Sequence, residues 1–204
     1  MKQEVDVAII GAGSAGLYAF SQVRKYANKY VLIDGGELGT TCARVGCMPS
    51  KALIQVAEDF HRRALFNREG IEGGDKLSVN AADAMEHVQD LRDIFVDKVL
   101  SSSTDNMGDE FIQANARFLE PNLLMVGEQR IRARSIVIAT GSAPIVPEAW
   151  QAFGERVLTT DEIFELEELP ASLAVIGLAF WAYRENYQTQ EAQARAQALQ
   201  GKIS

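Results

Sequence analysis

Apolar positions run along this chain in three rhythms. Val5 to Ile10 and Tyr30 to Ile33 are short, nearly unbroken apolar runs rich in β-branched residues, which predicts buried strands rather than half-exposed ones. Between them, Gly11-Ala12-Gly13-Ser14-Ala15-Gly16 opens a helical stretch that reaches about Tyr26. Strand, glycine turn, helix and strand make a βαβ unit. Helical spacing returns from Lys51 to about Leu65 and from Ala81 to Ser101, with a glycine-bearing loop from Asn67 to Asn80 between them. From Phe111 onward the period shortens. Phe111 to Phe118, Leu123 to Val126, Gln129 to Ala133 and Ser135 to Ala139 predict short strands, turned at Glu120-Pro121-Asn122 and Gly127-Glu128. Pro144 to Glu168 reads as a connector. Leu173 to Ile176 reads as a fresh strand, and Ala179 to Gln200 as a polar helix with no apolar stripe.

These elements predict an α/β fold of Rossmann type: a parallel sheet, a helical pair, a small β meander, and the incomplete start of a second such domain. Composition supports a packed core, since 47% of the 204 residues are apolar and 24% are charged. The formal net charge of −8 and the absence of a basic stretch argue against nucleic acid and anionic membrane surfaces as partners. The charged start and the short apolar run after it fit neither a signal peptide nor a membrane span, so a cytoplasmic location is expected. In a reducing compartment two closely spaced cysteines point to redox or metal chemistry rather than to a structural framework.

Two segments carry chemistry. Gly11, Gly13 and Gly16 meet the spacing of a dinucleotide loop: a tight turn, a close approach of backbone to pyrophosphate, and close helix-strand packing. The helix that follows offers free N–H groups and a positive dipole end to phosphate. Asp34 ends the next strand, where a carboxylate can accept from ribose hydroxyls. This loop does not distinguish NAD from FAD. Cys42 and Cys47 close a small loop before Met48-Pro49-Ser50-Lys51, where a helix is expected to begin. A thiol at a helix N-terminus is favoured as thiolate, and two such thiols suit reversible disulfide exchange. A zinc site would need two further ligands, and only His61 and His87 are available, without ligand spacing to the pair, so no metal is expected. Both histidines read as surface helix residues.

The run Gly39-Thr40-Thr41-Cys42-Ala43-Arg44-Val45-Gly46-Cys47-Met48-Pro49-Ser50-Lys51 resembles the active-site segment of the pyridine nucleotide-disulfide oxidoreductases, most closely their dihydrolipoamide dehydrogenase members. Glutathione reductase-like members usually have Lys where Ser50 stands. The stretch from Ser135 to Pro144, centred on Ala139-Thr140-Gly141, resembles a second FAD-domain motif of the same family, and the likeness runs from about Val5 to Gly177. The resemblance implies FAD as cofactor, NAD or NADP in the complete enzyme, and a small-molecule or protein-bound disulfide or dithiol as substrate. It implies that Gly11, Gly13, Ser14, Ala15 and Gly16 hold the FAD pyrophosphate and that Asp34, with Gly35 and Gly36, meets the adenosine ribose. Thr41, Cys42, Cys47, Lys51, Ala116, Ala139, Thr140 and Gly141 would line the cofactor. Cys47 would be the thiol beside the flavin and Cys42 the interchange thiol, the two catalytic residues, while Lys51 would tune the charge of the flavin ring.

The family usually has Gly at 40 and Asn at 44, and Arg44 between the cysteines stands to alter access or thiolate stability. The domains implied are 1–145 (FAD-binding), 146–170 (connector), 171–178 (start of an NAD-binding domain) and 179–204 (helical tail). Gly177 is followed by Leu178-Ala179-Phe180-Trp181-Ala182 where the family has further glycines, and bulky Phe180 and Trp181 obstruct approach to a pyrophosphate. The family's later Gly-Asp motif and its interface domain, which carries the base and the homodimer contact, have no counterpart here. The expectation is therefore a truncated or out-of-frame product, inactive alone; the alternative is a non-catalytic FAD-binding fragment. A simple NAD-binding protein does not account for the cysteine segment, and neither does a flavoprotein oxidase or monooxygenase.

Overall fold

A computed structural model describes residues 2–170 and 172–173. The chain divides into two units, Met1–Leu169 and Pro170–Ser204, and every element below belongs to the first. The expected strand at Leu173 to Ile176 and helix at Ala179 to Gln200 fall wholly or largely outside the described residues.

Six strands form one sheet in the order β3-β2-β1-β6-β5-β4. They are β1 (Lys2–Ile10), β2 (Tyr30–Asp34), β3 (Phe111–Gln113), β4 (Ala116–Glu120), β5 (Leu123–Val126) and β6 (Gln129–Ile138). The pairs β1–β2, β2–β3 and β1–β6 are parallel, with Ile10 opposite both Ile33 and Ile138. The pairs β5–β6 and β4–β5 are antiparallel. The sheet is therefore the expected parallel one, with the meander fused to its edge rather than standing apart.

Side-chain alternation along β2 sorts two cores. Val31 and Ile33 join Val5, Ala8, Leu124 and Ile131 on one face. Tyr30 and Leu32 pack on the other face with Ile9, Leu17 and Phe20. Leu17 and Phe20 come from α1 (Ser14–Val23), and the Phe20 ring meets Tyr30 edge to face at 5.5 Å.

Two of the expected strand boundaries are corrected. Phe111 to Phe118 is not one strand but β3 and β4, which lie at opposite edges of the sheet. The break at Ala114-Asn115 is where the chain leaves β2's side, and Asn115 packs closely against Gly35. Conversely, Gln129 to Ala133 and Ser135 to Ala139 merge into β6, whose first half pairs with β5 while its whole length runs beside β1.

The helical pair is α3 (Cys47–Arg62) and α4 (Ala81–Ser101), and it follows the single turn α2 (Thr41–Arg44). Helix α3 begins at Cys47, one residue ahead of Met48-Pro49-Ser50-Lys51, where a helix start is expected, and four before the helical spacing that opens at Lys51. Pro49 falls in its first turn, where a missing N–H costs nothing, so the proline marks a start rather than a boundary. Helix α4 has the expected limits, and the Asn80 side chain caps it by accepting from the Ala82 N–H at 3.2 Å. The connector holds two short helices, α5 (Glu148–Gln151) and α6 (Thr160–Ile163). It is fastened to α4. Gln89 Nε2 donates to the Phe164 and Leu166 carbonyls, Arg92 pairs with Glu165 at 2.6 Å, and the Phe164 side chain is buried.

Candidate functional site

The carboxyl ends of β1, β2, β3 and β6 lie at the same end of the sheet, where the strand order switches between β1 and β6. Crevices of this kind are where open α/β sheets take ligands. Three of the predicted segments converge at this point. Gly11 follows β1 with φ +107°, and its N–H donates to the Ile33 carbonyl at 2.7 Å. Ala139 follows β6, and its N–H donates to the Ile10 carbonyl at 2.7 Å. A methyl group on Gly11 would lie 2.6 Å from the Ala139 carbonyl carbon, so the glycine loop and the Ala139-Thr140-Gly141 motif are in backbone contact. Thr140 and Gly141 are exposed.

Each glycine has its own physical reason. Gly16 lies against the Gly11 carbonyl, which fixes how closely α1 approaches the turn. Gly13, the N-cap of α1, is different: a methyl group there meets nothing within 4 Å. Its open side, the exposed Ser14 and Ala15, and a first turn without an acidic residue leave the positive end of α1 available to an anion. The residues present therefore fit a dinucleotide pyrophosphate.

Asp34 does more than the sequence suggested. One carboxylate oxygen accepts from the Ala12 N–H and the other from the Gly36 N–H, the latter at 2.7 Å. It clasps the glycine loop to the turn after β2, with lone pairs left over for a further donor. Gly35 approaches Asn115, which brings the segment leading to Ala116 to the same turn.

The cysteine segment is held by α2 and α3. Cys42 is half-buried in α2, and Cys47 is the exposed first residue of α3. Both thiols are free. Gly46 permits this close folding, since a methyl group there would lie 2.9 Å from the Thr41 carbonyl oxygen. The neighbouring Cys47 thiol, with burial as a smaller contributor, holds the Cys42 pKa above the ordinary thiol value, and the nearby Lys51 ammonium opposes this. Lys51 stands one turn beyond Cys47 on the same face of α3. Arg44, expected to alter access or thiolate stability, pairs with Glu37.

Thr40 has φ +67° and ψ 146°, a region that is essentially the preserve of glycine. Its hydroxyl repays part of the strain by accepting from the Ala43 N–H at 3.3 Å. Replacing Thr40 with Gly is expected to stabilise the chain by ~1 kcal/mol, because the relief of strain outweighs the few tenths lost at the cap. A thermal or denaturant melt checks this, and a lower midpoint for the glycine variant would contradict it.

The two chemistries meet in one cleft of about 420 Å³. Ser14 at the head of α1 and Cys42 both line it, with Leu17, Met48, Phe95 and Val99 as apolar walls. The α4 contribution was missed from sequence, although Phe95, Val99 and Ser102 have helical spacing on one face. His61 and His87 are exposed on α3 and α4, as expected.

A mostly parallel α/β dinucleotide-binding domain with a dithiol beside its phosphate loop defines a class, the nucleotide-dependent thiol-disulfide oxidoreductases. The chain belongs to the pyridine nucleotide-disulphide oxidoreductase family, whose model matches residues 5–182, a few residues beyond the limit expected at Gly177. It is 29% identical over 184 residues to dihydrolipoyl dehydrogenase 2, chloroplastic, of Arabidopsis thaliana, covering 87% of this chain and 31% of that protein. It is 30% identical to a mercuric reductase of Staphylococcus aureus (88% and 32% covered) and 30% identical to a dihydrolipoyl dehydrogenase of Bacillus subtilis (87% and 40%). The fold is shared with the HOCl-induced flavoprotein disulfide reductase RclA of Escherichia coli, solved as a Cu(II) complex, at a TM-score of 0.64 and 23% identity over 81% of this chain and 34% of that one. The chain thus spans between 31% and 40% of the length of these curated relatives. Membership implies FAD and NAD(P) as the family's cofactors. No described helix is long and apolar enough to cross a membrane.

Proposed function

We propose that this chain supplies the FAD-binding and dithiol half of a disulfide oxidoreductase of dihydrolipoamide dehydrogenase type. The observation that carries the reading is the shared cleft: Ser14, at the phosphate loop, and Cys42, of the dithiol, line the same space. In this reading Gly11, Gly13, Ser14, Ala15 and Gly16 hold the pyrophosphate, and Asp34, Gly35, Gly36 and Ala116 receive the adenosine end. Thr41, Ala139, Thr140 and Gly141 line the remainder, and Lys51 keeps a positive charge near the ring. Bound FAD would supply the hydride-accepting chemistry that links a pyridine nucleotide to the dithiol, which the side chains lack. Cys47 is the thiol on the flavin's side, and Cys42 is the interchange thiol.

At Cys42 the chemistry is thiol-disulfide exchange. The Cys42 thiolate attacks one sulfur of a disulfide, forms a mixed disulfide and expels one thiolate. The Cys47 thiolate then attacks the Cys42 sulfur, expels the second thiolate and leaves a Cys42–Cys47 disulfide. The two protons released by the pair go to the two leaving thiolates, and the two electrons go to the substrate. The complete protein acts in the cytoplasm as a homodimer, takes NAD or NADP, and has no nucleic-acid or membrane partner. After Gly177 the sequence carries Leu178-Ala179-Phe180-Trp181-Ala182 rather than further glycines at the spacing of a pyridine nucleotide loop. That favours a second reading, a non-catalytic FAD-binding module.

Titrating the purified chain with FAD and then adding dithiothreitol tests both readings. The first expects saturable quenching of flavin fluorescence and a new long-wavelength absorbance once the pair is reduced. FAD binding without a spectral response to the thiols favours the second reading. No retained flavin overturns both.

A further inference from the structure

The cleft beside Cys42 has a chemical character of its own. Its walls are apolar, from Leu17, Met48, Phe95 and Val99, and the single charged side chain lining it is Lys98. This is a cation in a chain whose formal net charge is −8. Phe95, Lys98, Val99 and Ser102 follow one another at helical spacing, so one stripe of α4 faces the cleft over roughly 10 Å. Among the described residues no carboxylate lies within ion-pair distance of the Lys98 ammonium. A ligand whose sulfurs reach Cys42 would therefore lay its body against an apolar wall and bring its far end to an uncommitted positive charge.

We infer that Lys98 is a specificity-determining residue and that the α4 wall of the cleft, outside the phosphate loop, selects small disulfides with an apolar arm ending in an anionic group. This rests on the reading of Cys42 as the interchange thiol. A neutral disulfide gains only the apolar wall. A cationic one meets Lys98 as a like charge. An anionic one gains an attraction that speeds encounter and holds the arm in place while Cys42 attacks. No extra redox partner is needed, because the exchange balances as described above.

The test uses the full chain, reduced and freed of reductant, with two chromogenic disulfides. Dithiobis(nitrobenzoate) has an aromatic arm and carboxylates, and dithiodipyridine has a similar arm without charge. Lys98→Gln is expected to slow the reaction with the carboxylate probe by about 3- to 10-fold and to leave the neutral probe unchanged. Lys98→Arg should keep the wild-type preference, and Lys98→Glu should push it below that of Lys98→Gln. Raising the salt to about 0.5 M should shrink the wild-type preference, because screening acts on exposed charges. Equal effects on the two probes, or no effect on either, would overturn the role of Lys98 while leaving the exchange reading intact. A wild-type chain that reacts with neither probe sinks both.

Discussion

Gly16→Ala is expected to cost ~3 kcal/mol or more and to leave little folded chain at physiological temperature. The added methyl group would sit on the Gly11 carbonyl oxygen and 2.8 Å from its carbon. Neither atom is the loose end of a side chain. Gly11 is fixed on one side by its hydrogen bond to Ile33 and on the other by the backbone of Ala139. To make room, α1 must withdraw from β1, and the Leu17 and Phe20 packing goes with it. Gly13→Ala is the matched control. Its φ of −71° is ordinary, and the methyl group points into open space, so the expected loss is below ~1 kcal/mol and comes only from a poorer N-cap. FAD affinity should nevertheless fall for that variant, because the open space is where a pyrophosphate would approach. Denaturant melts and FAD titrations of the two variants separate the effects. Equal stability losses would show that the turn is more pliable than its contacts indicate.

The same contrast explains what the sequence disclosed. The βαβ unit was legible because Val5 to Ile10 and Tyr30 to Ile33 are apolar on both faces, and only a strand covered on both sides tolerates that. Helix α4 was legible to the residue because Asn80 is a strong cap and the apolar spacing after it is regular. The β3–β4 break was not legible, since Ala114-Asn115 contains no glycine or proline, and the divergence is set by long-range contact with Gly35. The first turn of α3 lies ahead of the helical spacing that opens at Lys51, and Pro49, tolerated in a first turn, is what signals it. Of the site, the glycine loop and the cysteines stood out because their spacing alone restricts the chemistry. Their meeting in one cleft depends on α4, which comes more than thirty residues after Cys47 and carries no motif. The pairing of Arg44 with Glu37 was likewise a matter of geometry that neighbouring residues in the sequence do not encode.

The dithiol itself gives the other large effect. Offered a small excess of disulfide, the reduced chain is expected to release two thiols, whereas Cys47→Ser should release one and stay trapped as a mixed disulfide at Cys42, visible as a mass adduct. Cys42→Ser should form no intramolecular disulfide, and its turnover in a reconstituted cycle should fall by about 10³-fold or more, because neither thiol substitutes for the other. The pH profile adds a second signature. The Cys42 pKa is raised, first by the neighbouring Cys47 thiol, so its proton is retained at a pH where an ordinary thiol has already ionised. Alkylation of Cys42, which requires the thiolate, should therefore have its midpoint above the ordinary thiol range in the wild-type chain. Removing the partner in Cys47→Ala takes away the largest cause, and the midpoint should move down. A midpoint that stays put or rises would mean that burial, rather than the neighbouring thiol, keeps the proton on Cys42. The pair would then be two adjacent cysteines rather than one coupled group.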